Sequence, residues 1–527
     1  MILTHQHVII SKKFYQYIVI LGFVLGTLSC KQEQHSQNDV LVGNEDRFRE
    51  SYRPQYHFTP PEKWMNDPNG LLYHNGVYHL FYQYYPDDIV WGPMHWGHAT
   101  STDLVAWNHK PIALYPDELG YIFSGSAVMD TQNTSGLGTK DNPAIVAIFT
   151  YHDMAGEKAG HLDYQTQGIA YSLDEGDTWT KYEGNPVIGN PTSIKDFRDP
   201  KVMWHENTQK WIMSLVAGDH AKFYSSENLI DWELLSEFGR DSGAHGGVWE
   251  CPDLFQLQVE GSEETKWVLL ISINPGAPNG GSGTQYFVGD FDGKDFTTEQ
   301  TEEKWIDYGT DNYAGVSYNG LAQDDRTFIG WMSNWNYARD TPTKNWRSAM
   351  TLSRKLTLKE IEGDYYLNSF PVSAINDYSK TVKNYDILVN GQSLSAPSLN
   401  QHRLDFKLTG ELRDFKLTFS NAIQERLVLG YNRDAHQFYL DRTQSGLVDF
   451  EPRFAEQIHL APAILKDDGE IPFSIFLDAS SIELFIDGGT TVFTDQIFPT
   501  QPYMSIRLDG NVQFENVELH DVRRIWE

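Results

Sequence analysis

Short apolar–polar alternations broken by turn residues dominate the chain, and runs at helical period are scarce. Residues 73–82 read as a hairpin, because Asn75-Gly76 supplies the pair best able to adopt positive φ between two alternating halves. Comparable hairpins fall at 202–215, with a turn near Glu206-Asn207, at 255–271 and at 319–331, and 144–151 followed by 168–173 makes a looser fifth. Several of these units close with an aromatic after an acidic turn, as in Asp103-Leu104-Val105-Ala106-Trp107, Asp174-Glu175-Gly176-Asp177-Thr178-Trp179 and Asn228-Leu229-Ile230-Asp231-Trp232. The recurrence predicts an all-β chain whose residues 51–358 form a five-bladed β-propeller of four-stranded sheets. A sandwich built of many hairpins would satisfy the same pattern. From about residue 360 the pattern changes. Leu367-Asn368-Ser369-Phe370-Pro371 reads as part of a linker over 359–377, and 378–527 as a C-terminal β-sandwich with strands near 404–408, 415–419, 473–477, 482–486 and 504–508.

The N-terminus breaks this rhythm. Lys12-Lys13 precede an apolar run over 17–28, too short to cross a bilayer, so residues 1–30 read as a secretion signal. Thr27-Leu28-Ser29-Cys30 resembles a bacterial lipobox, although Thr27 stands where an aliphatic residue is usual. That resemblance implies cleavage before Cys30, lipidation of its sulfur and a membrane contact made through the lipid alone. An ordinary signal peptide with an incidental cysteine is the alternative. Residues 31–50 are polar and read as a tether. Cys30 and Cys251 are the chain's 2 cysteines, so a lipidated Cys30 leaves no intrachain disulfide. The formal charge of −31 argues against nucleic acid and other polyanions as partners, and a neutral sugar is indifferent to it.

The chemistry gathers at proposed blade starts. In a propeller the first strand of each blade lines the central channel, so its residues converge from distant parts of the chain. Asp67-Pro68, Arg198-Asp199-Pro200 and Glu250-Cys251-Pro252 each set an acid near a proline, and Phe123-Ser124-Gly125-Ser126 opens a fourth unit with small hydroxyls. Placed equivalently, Asp67, Asp199 and Glu250 form one carboxylate cluster, the equipment of glycoside hydrolysis. On local sequence alone, Asp67 between Asn66 and Pro68 is expected at low pKa and Asp199 beside Arg198 is expected ionised, whereas Glu250 between Trp249 and Cys251 is expected in a less polar setting that suits a general acid. Asp-Pro-Asn-Gly at 67–70 is also ordinary turn chemistry, which is the competing reading of that stretch. Trp64, Trp91, Trp96, Trp331 and Trp335 offer faces for sugar rings, and Asn66, Gln83 and Arg198 offer hydrogen bonds to hydroxyls. Trp107, Trp179 and Trp232 read as blade packing. His95 and His98 lack an evident third ligand and read as strand-positioning residues, so neither a metal nor a cofactor is expected.

Taken together, Tyr56-His57-Phe58-Thr59-Pro60, Trp64 through Gly70, Phe81-Tyr82-Gln83-Tyr84, Trp91-Gly92-Pro93-Met94-His95-Trp96-Gly97-His98, Phe123-Ser124-Gly125-Ser126, Arg198-Asp199-Pro200, Trp249-Glu250-Cys251-Pro252-Asp253-Leu254 and Gly330-Trp331-Met332-Ser333-Asn334-Trp335 resemble glycoside hydrolase family 32. The family contains invertases, exo-inulinases, levanases and fructosyl transferases, and the resemblance runs from about residue 53 to the end. It implies a five-bladed propeller followed by a β-sandwich and a β-fructan or sucrose-like substrate. It also implies Asp67 as nucleophile, Asp199 as transition-state stabiliser and Glu250 as general acid/base, with Trp64, Asn66, Gln83, Trp91, Phe123, Ser124, Arg198 and Trp331 around the terminal fructose. Tyr85 departs from the family's usual Asn after Gln-Tyr, at the pocket rim. The implied activity is exo-acting β-fructosidase with retention. A fructosyl transferase would use the same residues, and a non-catalytic fructan-binding protein would not need all three acids.

Overall fold

The computed structural model describes residues 48–465 and 469–526. The expected signal, Cys30 and residues 31–47 of the expected tether lie outside the described residues. Phe48 does not behave as tether: its ring is buried, stacked on Trp526 at 4.3 Å.

Five sheets are arranged around an axis, each beginning with the strand nearest that axis. The first comprises Lys63–His74, Val77–Tyr85, His95–Ser101 and Asn108–Leu114, and the second Tyr121–Met129, Ile145–His152, Gln165–Ser172 and Thr180–Lys181. The third runs from Phe197–His205 through Lys210–Ala217 and Ala221–Ser226 to Glu233–Phe238. The fourth starts with Val248–Gln258, Thr265–Asn274 and Gly283–Phe291, and the fifth is Tyr313–Ser317, Thr327–Met332, Arg354–Ile361 and Asp364–Pro371. Each innermost strand packs against that of the next blade, and the fifth returns to the first. Trp346–Arg347, from the fifth blade's connection, runs parallel to Lys63 and Trp64 and helps close the ring. The five-bladed propeller is therefore present.

The expected linker over 359–377 is corrected. Most of it is strand: Asp364–Pro371 pairs residue by residue with Arg354–Ile361 to form the outer hairpin of the fifth blade. Asn368, Ser369 and Pro371 suggested a linker, but Glu362-Gly363, both at positive φ, is a tight turn between two alternating runs. Only a 3-10 turn, Ser373–Tyr378, separates this hairpin from the next domain.

That domain is a sandwich of two six-stranded antiparallel sheets. All five strands expected from alternation are found, and the inner faces meet where Phe415 of one sheet lies 6.2 Å from Phe473 and 5.3 Å from Phe514 of the other. Ser481–Ile486 and Thr491–Gln496 are buried at every residue, because their second face lies against the propeller.

That contact is held by buried charge. His57 from the propeller sits between Asp478 at 2.7 Å and Glu483 at 2.8 Å. Arg354 joins Glu483 to Asp307, the latter at 3.0 Å. Arg442 reaches Asp311 at 2.7 Å, and His459 lies 2.8 Å from Asp495. Burial alone would lower the His57 pKa, but its hydrogen bonds to the two acids overcome that and raise it to about 9. Burial would likewise raise Glu483, yet Arg354 and His57 bring it down to about 2.

Candidate active site

Every innermost strand carries the same irregularity. Two of its residues face one residue of the neighbouring strand: Asn66-Asp67 against Gln83, Phe123-Ser124 against Thr150, Asp199-Pro200 against Leu215, Cys251-Pro252 against Ile271, and Ala314-Gly315 against Gly330. Such bulges bend a strand and re-aim its side chains. Asp199, Cys251 and Ala314, the first residues of their bulges, have φ of 64°, 46° and 53°, a region that an Asp tolerates better than most side chains. The acids are not strictly equivalent, as the sequence suggested. Glu250 precedes its bulge, Asp199 is the first residue of its own and Asp67 the second. Three successive positions of one motif, in three blades, bring the carboxylates together.

Asp67 is held by two donors, Asn66 Nδ2 at 2.9 Å on Oδ1 and Ser124 Oγ at 2.7 Å on Oδ2. Asp199 Oδ2 accepts the backbone N–H of Cys251 at 3.0 Å. The Cys251 sulfur lies between the two acids, 3.8 Å from Asp67 Oδ2 and 3.7 Å from Asp199 Oδ2. Arg198 donates Nη2 at 2.9 Å and Nε at 3.1 Å to Glu250 Oε1, and Nη1 at 2.8 Å to Asp196 Oδ1. Its distance to Asp199 Oδ2 is 3.9 Å. Tyr313 donates its hydroxyl to Glu250 Oε2.

The electrostatics depart from the sequence expectations. Burial, then the Glu250 charge, raise the Asp67 pKa against the pull of Asn66 and Ser124. Burial dominates Asp199 as well. Arg198 lowers its pKa, Glu250 and Asp67 raise it, and the result is about 7. Adjacent Arg198 does not secure Asp199 because its guanidinium is spent mainly on Glu250 and Asp196. Nor is the setting of Glu250 apolar, with Arg198 on one oxygen and Tyr313 on the other. Burial would depress Arg198, but Glu250, Asp199 and Asp196 hold its pKa well up, so it remains cationic.

The acids face a cavity of about 430 Å³. Asn66, Gln83, Trp91, Phe123, Ser124 and Arg198 line it as expected from the sequence. Trp91 and Phe123 form an edge-to-face pair at 6.0 Å on one flank, and Trp335 stands in the wall with Arg339. Trp64 and Trp331 are corrected: both are fully buried and lie behind the wall. They pack on Trp335, at 5.9 Å and 4.9 Å. Trp64 still acts on the site, since its Nε1 donates to Asn66 Oδ1 at 2.7 Å and so leaves Nδ2 to donate to Asp67. Trp96 Nε1 holds the Phe123 carbonyl at 2.9 Å. The Tyr85 ring lies where a side chain on Gly92 would be, 2.3 Å from an added Cβ, and so braces the loop that carries Trp91.

Sequence reasoning missed Asp196, Tyr313, His152 and Glu157. Asp196 lay two residues before a motif already singled out. Tyr313-Ala314-Gly315 stands where Glu250-Cys251-Pro252 stands in the fourth blade, but it lacks the acid and proline that marked the others. His152 stacks on Phe123 at 4.2 Å and contacts Glu157, on the short helix Met154–Lys158, at 3.1 Å. His95 and His98 lie outside the cavity; His98 is buried against Phe81 and His79. Among the described residues no group of three or more His, Cys, Asp or Glu side chains is arranged to hold a metal ion.

Residues 57–370 match the glycosyl hydrolases family 32 N-terminal domain, and residues 373–522 the family's C-terminal domain. A levanase of Bacillus subtilis is 46% identical over 91% of this chain and 72% of its own. The crystal structure of an exo-inulinase from Aspergillus awamori superposes with a TM-score of 0.84 at 39% identity, covering 91% of this chain and 100% of that one. A β-fructofuranosidase from Schwanniomyces occidentalis, complexed with fructosyl-erythritol, gives a TM-score of 0.81 at 32% identity over 92% and 100% of the two chains.

Proposed function

The chain belongs to glycosyl hydrolase family 32, and on that premise we propose that it is a retaining exo-β-fructosidase, releasing terminal fructose from β-fructans such as levan and inulin and from sucrose. The observation that carries the reading is the set of three acids, two of them beside the Arg198 guanidinium, in one pocket with aromatic walls. Asp67, oriented by Asn66 and Ser124, attacks the anomeric carbon of the terminal fructosyl unit. Glu250 gives its proton to the departing glycosidic oxygen. The fructosyl–enzyme is then resolved by water that Glu250 deprotonates, so that two inversions give net retention. Asp199 stays close enough to grip sugar hydroxyls and offset the positive charge that develops on the ring. A pocket closed at its inner end suits a chain terminus, whereas internal cleavage needs a cleft open at both ends.

Early product profiles on levan, inulin and sucrose test this. Free fructose alone is expected from the polymers, and a ladder of short oligosaccharides appearing first would contradict exo action. With methanol as competing acceptor, retention yields methyl β-D-fructofuranoside; the α anomer would contradict it.

The enzyme is exported, and the lipobox-like Thr27-Leu28-Ser29-Cys30 supports a lipid on Cys30 as its anchor. Cys30→Ala is expected to move the protein out of the membrane fraction, and unchanged association would reject the anchor.

A further inference from the structure

The propeller channel has a second mouth, opposite the active site, and it opens into a cavity of about 460 Å³. The two cavities do not communicate freely. Between them Lys201 and Asp253 form an ion pair at 3.3 Å. Asn319 then ties three blades across the axis, donating Nδ2 to the carbonyls of Ala127 at 2.8 Å and Val202 at 3.0 Å, and its backbone N–H to Leu71 at 3.0 Å.

The walls of this lower cavity have an unusual composition for so acidic a chain. With 72 Asp and Glu in the sequence, none lines it, and its one charged residue is Arg326. Trp204, Trp211 and Trp267 supply aromatic surface, with Trp204 and Trp267 only half-buried. The rings are fixed before any ligand arrives. Trp204 Nε1 donates to Glu206 at 2.8 Å and Trp211 Nε1 to Thr134 at 2.9 Å, and the two rings meet edge to face at 5.1 Å. Gln132 and Gln323, both exposed, bring amide donors and acceptors to the rim. Arg326 lies over the Phe255 ring at 5.1 Å, and its Nε–H has no acceptor in the protein.

Rigid apolar faces, uncommitted amides and a wall without carboxylates make a poor site for a cation or a peptide of mixed charge. They match a neutral polyhydroxylated chain, whose C–H faces lie on indole rings while its hydroxyls exchange hydrogen bonds with amides. We propose that this lower mouth is a non-catalytic binding site for a neutral polysaccharide, and that it retains the polymer whose ends enter the pocket above. The choice of β-fructan as that polymer rests on the hydrolytic reading. Retention matters most to an exo enzyme, which otherwise loses its substrate after each release, since a second contact raises the effective concentration of chain ends.

Affinity electrophoresis in gels cast with levan or inulin tests the site, with Glu250→Gln as background so that the polymer survives and free fructose present to occupy the upper pocket. Retardation is expected, and adding Trp204→Ala and Trp267→Ala should weaken it by about tenfold or more, consistent with loss of ring contacts. The exposed pair Gln132→Ala and Gln323→Ala, which leaves the core untouched, should weaken it about threefold at an unchanged Tm. In the otherwise wild-type enzyme the same changes should raise KM for polymer and leave sucrose hydrolysis as it was. Retardation unaffected by either variant pair, abolished by free fructose alone, or seen only with a sulfated polymer would overturn the proposal. Retardation by a neutral polymer, with no fructose released by the otherwise wild-type enzyme, would instead remove the hydrolytic reading and leave the lower site standing.

Discussion

Buried carboxylates occur in two clusters of this molecule, and their company differs. At the domain contact, Asp478, Glu483, Asp307, Asp311 and Asp495 each have an arginine or histidine within hydrogen-bond distance. In the pocket, Asp199, Glu250 and Asp196 share Arg198, and Asp67 is held by the neutral donors Asn66 and Ser124. Burial pushes Glu483 and Asp199 alike toward protonation, and pairing decides the outcome. Glu483 falls to about 2, whereas Asp199 rises to about 7. Matched charge locks two domains together. Unmatched charge leaves Asp199 to take up and release its proton near neutral pH, the kind of shift that marks reactive sites.

The largest effect expected from this contrast is on activity. Asp67→Asn should lower kcat by about 10⁴-fold or more, on the scale seen when a nucleophile is removed. Its stability to denaturant should hold or improve, because one charge has left an over-acidic cluster. A variant that unfolds readily would show that Asp67 is structural.

At the domain contact the same type of change should do the reverse. Glu483→Gln leaves Arg354 with Asp307 and His57 with Asp478, each one charge short, and should cost about 3–5 kcal/mol in denaturant unfolding, while fructose release per folded molecule stays close to that of the unchanged enzyme. The pH dependence follows from the two shifts. Glu483, depressed to about 2 from 4.5, contributes stability that is present above pH 4.5 and lost as pH falls toward 2. His57, raised to about 9 from 6.5, contributes stability that is complete below pH 6.5 and lost as pH rises through 9. The penalty of Glu483→Gln should therefore be largest between about pH 4.5 and 6.5.

The pocket cluster was readable from sequence and the domain contact was not, for a physical reason. Asp67, Asp199 and Glu250 each sit beside a backbone device, a proline next to a strand bulge, that leaves a local trace in the chain. His57 and Asp478 are 421 residues apart and leave none. Blade count and sandwich strands were legible because period-two alternation is local. What alternation cannot say is how deep behind the pocket wall a ring sits, and Trp64 and Trp331, packed on Trp335, were misplaced for that reason. Tyr313 was hidden because its bulge uses Ala314 and Gly315. Tyr313→Phe removes one of the two side chains that hold Glu250 and should lower kcat/KM by about tenfold, the equivalent of one charge-assisted hydrogen bond, with little change in Tm. An unaltered kcat/KM would make that contact incidental.

The contrast is tested most directly by thermal unfolding of Asp199→Asn as a function of pH. With a pKa of about 7 against 3.8 for an ordinary Asp, Asp199 binds its proton more tightly in the folded chain, so ionising it costs stability that grows as pH rises from 3.8 through 7. Asn cannot ionise and accepts the positive φ of that position. The account predicts that Asp199→Asn, though catalytically crippled, melts higher than the unchanged enzyme at pH 8, by roughly 1–2 kcal/mol, and that the gap closes toward pH 4. A variant that melts lower at pH 8, or by the same margin at both pH values, would contradict it.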